Sequence, residues 1–131
     1  MEDGGYIYNI ERFMKNNRKV TSEEMALIAF LANKANFHLE SDWENHIAAY
    51  PLTKEKIRSI GLLRDYMQGY TRKRSRVISC CKFYDTDNVE VAAYLLVDLR
   101  DMLYELDLWK VDNSKIHHIP SVDCMEDIQQ I

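Results

Sequence analysis

Val89, Ala92, Leu96, Leu99, Leu103 and Leu106 recur at steps of three, four, three, four and three residues. An α-helix turns once every 3.6 residues, so such a series falls on one stripe and predicts a long amphipathic helix from about 88 to 109. Asp87 and Glu90 offer its N-terminal cap.

The rest of the chain is read the same way. Tyr6, Ile7, Ile10, Phe13 and Met14 fit one face of a first helix ending near Asn16 and Asn17. Thr21 with Glu24 is a capping-box pair opening a helix over 21–36, whose Leu27, Ile28, Phe30 and Leu31 make it apolar over much of its circumference. Ser41 and Glu44 repeat that spacing ahead of a short helix through Trp43 and Ile47 that Pro51 stops. Thr53 caps a helix over 53–68 carrying Ile57, Ile60, Leu63 and Met67 on one face, and Ser121 caps a short terminal one. Arg76–Tyr84 reads either as a strand or as a further helical turn, and Trp109–Ile119 has a turn-like Asp-Asn-Ser centre suited to a hairpin. The expected fold is a compact, mainly α single domain spanning 1–131, with five or six helices and room for one small β hairpin.

Charge is strongly segregated. Residues 54–82 hold nine Lys and Arg against two acids, whereas 83–131 holds three against eleven, within a chain whose formal net charge is −4. A cationic stretch attracts a nucleic-acid backbone, an acidic partner, or the acidic end of the same or a second copy, so a homodimer is compatible with this pattern. The longest apolar runs, Met25–Ala32 and Val91–Val97, are too short to span a bilayer, and Glu2 and Asp3 carry the wrong sign for a secretion signal. Three cysteines, two of them adjacent, suit a reducing compartment, so the expected location is cytoplasmic, or nuclear in a eukaryotic host.

Within the cationic stretch, Arg64, Tyr66, Tyr70, Arg72, Lys73, Arg74 and Arg76 combine charge with aromatic faces and are the candidate partner-binding residues. The order helix 21–36, short helix 42–50, helix 53–68 and β segment resembles a winged helix-turn-helix. It departs from one in the Tyr50-Pro51-Leu52 connection and in the apolar Ile57, Ile60, Leu62 and Leu63 of the recognition helix.

Other chemistries find less support. Cys80, Cys81, His117, His118 and Cys124 lack the paired spacing that zinc favours, and buried thiols with surface histidines are the commoner outcome. Asp85-Thr-Asp87 opens like a calcium loop, but Glu90 and Leu96 stand where glycine and glutamate are required. No phosphate loop, nucleophile elbow or zincin motif occurs, so neither catalysis nor a cofactor is expected. The eight Tyr, four Phe, two Trp and six Met exceed what a small core uses, and such residues are enriched at interfaces. The expectation is a non-enzymatic regulatory or adaptor protein binding another protein through an aromatic-rich surface steered by the basic segment. Small phage and viral proteins that block a host protein have this character. The alternative is a nucleic-acid-binding regulator using the same residues.

Overall fold

The computed structural model describes residues 17–52, 58–64 and 73–128. Its elements are β1 (Arg18–Lys19), α1 (Ser22–Lys34), a 3-10 turn at Trp43–Asn45, β2 (Ile47–Pro51), β3 (Ile60–Arg64), β4 (Arg74–Tyr84), β5 (Glu90–Asp98), β6 (Leu103–Lys110) and a second 3-10 turn at Val122–Cys124. The strands form one six-stranded sheet in the order β1-β2-β3-β6-β5-β4, with every pairing antiparallel. The mainly helical domain read from the sequence is therefore corrected to a sheet carrying, among the described residues, one α-helix.

The predicted long helix is a hairpin, β5–β6. Its turn is made by Asp98, whose buried carboxylate accepts the amides of Arg100 at 2.8 Å and Met102 at 3.1 Å. Asp101 adopts the left-handed conformation there (φ 61°), which aspartate tolerates better than most residues. Leu99, assigned to the buried stripe of a helix, lies in this turn and is 68% exposed. β6 carries the alternation that the three-four stepping obscured: Leu106 and Leu108 are buried with Lys110 on one face, while Glu105, Asp107 and Trp109 take the other. β5 is apolar on both faces, so its pattern satisfies either period.

The other expected helices divide. Thr21 and Glu24 form the capping box as read, with Glu24 N donating to Thr21 Oγ1 at 3.1 Å and Thr21 N donating to Glu24 Oε1 at 2.9 Å. Arg18 clamps the same carboxylate with two 2.8 Å bonds, tying β1 to α1. Thr21→Ala should therefore lower stability by about 1 kcal/mol, measured by denaturant titration. The helix expected through Trp43 and Ile47 is a single 3-10 turn followed by strand β2. Residues 60–64 of the helix expected over 53–68 are strand β3, and the remainder that is described, Arg58 and Ser59, lies outside any helix. The stretch 76–84 is a strand, and 109–119 is the end of β6 followed by a coil rather than a hairpin. The first helix read over 6–14 lies outside the described residues.

The core forms where α1 covers one sheet face. Leu27, Ile28 and Leu31 pack with Phe83, Leu95 and Leu106, all of them fully buried. No helix among the described residues is long and apolar enough to cross a membrane.

The seam between β3 and β6 has only two register pairs, Ile60↔Leu106 and Gly61↔Glu105. Ser59 pins it: its buried hydroxyl accepts Leu108 N at 2.9 Å and donates toward Asp107 Oδ1 at 2.7 Å. At the far edge, β4 is covered in part. Lys34 Nζ donates to Cys80 O at 2.5 Å, and Lys82 exchanges two 2.8 Å backbone bonds with Glu126.

Candidate functional site

A groove opens where α1 ends. The helix closes in a Schellman motif: Phe37 N donates to Ala32 O at 2.8 Å and Asn36 N to Asn33 O at 3.1 Å, with Asn36 left-handed (φ 56°) where glycine is usual. After this reversal Phe37, half-buried against the core, lines three hollows, two of which Asp101 also lines. One of these two, of about 270 Å³, has Phe37, Leu39, Trp43 and Met102 among its apolar walls and Glu40 and Arg64 at its polar side. The other, of about 490 Å³, lies between Asn36, Phe37, Val77 and Ile78 and is bordered by Arg76 and Asp101. Phe37 and Asp101 line both, so the two hollows adjoin.

The candidate binding residues separate around it. Arg64 and Arg76 line the groove, each paired with a carboxylate at 2.7 Å, Glu40 for Arg64 and Asp101 for Arg76. Arg74 lies 3.7 Å from Glu105, whose carboxyl is pushed up by burial and drawn back only partly by that guanidinium. Arg74 and Arg76 thus meet carboxylates from the acidic end of the same chain, yet their side chains remain 56% and 58% exposed. Lys73 is exposed, and its carbonyl accepts Leu99 N at 3.2 Å. Tyr66, Tyr70 and Arg72 lie outside the described residues. The winged-helix arrangement does not form, since two of its three helices are replaced by β2 and β3 within the described segments.

The metal candidates also separate. Cys80 and Cys81 are buried, and burial pushes the Cys81 thiol up to about 11, which keeps it protonated at neutral pH. Cys124 is exposed. The histidines join a different cluster: Asp85, Asp87 and His117 converge as a possible ligand set, but the ammonium of Lys110 already sits among them. Lys110 Nζ donates to Asp85 Oδ2 at 2.8 Å, Asp87 Oδ2 at 2.7 Å and the Lys115 carbonyl at 2.8 Å. Asp85 also accepts the amides of His117 and Thr86, each at 2.7 Å, and lies 3.1 Å from His118 Nδ1. This buried knot fastens the coil after β6 onto the β4–β5 turn. Lys110 compensates the charge of Asp85 and Asp87 there, while Asp87 and His117 stay open to solvent.

Sequence reasoning missed Phe37, Trp43, Glu40 and Asp101, because only the observed fold brings the helix end beside the β5–β6 turn. A charged residue at Lys110, in register with the inward Leu106 and Leu108, was a readable sign of the buried knot. Neither a curated protein nor a solved structure matches the chain. A family model does match, over residues 17–120, from just before β1 to the end of the fastened coil, and the chain belongs to that family, described as a domain of unknown function (DUF6984).

Proposed function

We propose that this is a non-enzymatic adaptor or regulatory protein that binds another protein at the Phe37 groove. The carrying observation is the groove's make-up: an apolar floor from Phe37, Leu39, Trp43 and Met102, flanked by the ion pairs Arg64–Glu40 and Arg76–Asp101. Catalytic sites require polar groups converging on one point. Here the charged groups are paired with one another, Arg76–Asp101 in the open and Arg64 largely buried against Glu40, which suits an interface that sets apolar contact beside charged groups. The charged groups steer and orient, while the apolar contact supplies most of the affinity. Three free thiols, two of them buried, suit a reducing compartment.

The test is capture of partners by tagged wild type, Arg76→Glu and the exchanged pair Arg76→Asp/Asp101→Arg, each with and without nuclease. Both side chains of this pair are exposed, so folding should be unaffected. A protein held by wild type should weaken about tenfold or more with Arg76→Glu, at a cost near 1.4 kcal/mol, and nuclease should change nothing. If the only molecule lost is nucleic acid, or if Arg76→Glu retains every partner, the reading fails.

A further inference from the structure

We infer that the edge of β4 beside α1 is a docking lane for an acidic, extended peptide of a partner protein, and that the chain's own tail occupies it as a displaceable occupant. The tail displays the recognition chemistry. Glu126 adds one antiparallel rung to β4 through its two backbone bonds with Lys82. Met125, one residue before, packs against the core, and Asp127, one residue after, places its carboxylate 2.7 Å from Lys34 Nζ. Residues 125 and 127 share a side of the strand and both face the helix side, whereas 126 points away. The lane therefore reads an apolar residue, any residue, then an acid, by main-chain pairing plus two side-chain contacts.

Three observations mark the tail as displaceable. Glu126 and Asp127 are exposed and Met125 is only half buried. The Lys34–Asp127 pair is itself open to solvent, with 32% and 84% of its side chains exposed, and such pairs hold weakly. The matched family region contains Lys34 and Lys82 but ends at residue 120, so the seat belongs to the family domain and its occupant lies beyond it. Charge favours an acidic ligand at the Lys34 end of the lane, where the ammonium bonds both the Cys80 carbonyl and the Asp127 carboxylate.

The experiment uses the full chain and a fluorescent peptide spanning 121–128 with serine in place of Cys124. Glu126→Pro/Asp127→Lys removes the amide that bonds Lys82 and reverses the charge facing Lys34, without touching the core. The peptide should bind this variant at least about tenfold more tightly than wild type, because the tethered tail no longer competes at high effective concentration. Adding Lys34→Glu to the variant should abolish the gain, as should Asp127→Lys in the peptide. In wild type, the Lys82 amide should exchange at least about tenfold faster than the neighbouring ladder amides of β4, since it is protected only by the tail. Equal peptide affinity for wild type and variant, no binding to a variant that melts like wild type, or a Lys82 amide as protected as its neighbours would each overturn the inference. A concentration-dependent dimer lost on the same tail substitutions would assign the lane to a second copy and overturn the separate partner.

Discussion

Asp85→Ala should cost about 3–5 kcal/mol and lower the melting temperature by about 10–20 °C. The substitution leaves the Lys110 ammonium short of a carboxylate in a site with almost no solvent contact, and strips the His117 and Thr86 amides of their acceptor. The effect carries a pH signature. Burial alone would push the Asp85 carboxyl up, but the bonds from Lys110, His117, Thr86 and His118 more than offset it and hold the group well below the usual carboxylate range. A carboxyl depressed on folding contributes stability that is complete above its unfolded value, near pH 4, and is lost as pH falls toward the folded value. The stability gap between wild type and Asp85→Asn should therefore be widest at neutral pH and narrow below about pH 4. A gap that stays constant over that range would exclude the ion-pair account. Lys110→Met should show the opposite slope: with Asp85 and Asp87 left facing each other, acidification neutralises the repulsion and stabilises the variant.

Gly61→Ala is the second large effect, at about 2–3 kcal/mol from overpacking. Gly61 lies directly across from Tyr50 in the β2–β3 ladder, and a Cβ built there would overlap the Tyr50 ring. Glycine is needed at this position because the ring lies over its backbone; the pairing is the kind in which an aromatic shields a strand glycine. The nearest atoms are the far end of the Tyr50 side chain, so either Tyr50 swings to another rotamer and uncovers the strand or β2 and β3 separate. In a double-mutant cycle with Tyr50→Ala, the Gly61→Ala penalty should shrink by at least about 1 kcal/mol, as expected for contacting residues. Strict additivity in chemical denaturation would mean that the ring is not the obstacle.

The difference between what the sequence discloses and what the molecule does follows from the range of each interaction. The Thr21–Glu24 capping box is a contact over three residues, and α1 begins where it says. Ser41 and Glu44 have the same spacing but precede only a 3-10 turn, because Asp42 is left-handed and the chain enters β2 directly afterwards. In β5 and β6 the pattern was ambiguous rather than absent. A strand buried on both faces matches a helical stripe as well as a strand, and Asp98 and Asp101 resolve the choice by building a turn where the helix would have had its middle. The charge segregation left open whether the cationic residues would meet a nucleic acid, an acidic partner or the acidic end of the same chain, and Arg74 and Arg76 meet Glu105 and Asp101 of that end. The groove was not legible, since Phe37 and Asp101 become neighbours only once α1 lies on the sheet.

The thin β3–β6 seam has a consequence for the chain as it leaves the ribosome. β4, β5 and β6 are consecutive neighbours and can zip together as they emerge, but β3 must wait until all of 65–102 and then β6 have been synthesised. Through that interval Ile60 and Leu62 present an apolar, unpaired border, the state most prone to intermolecular association. Cellular yield should therefore respond to translation speed and to chaperone supply more strongly than the equilibrium stability of the finished protein suggests.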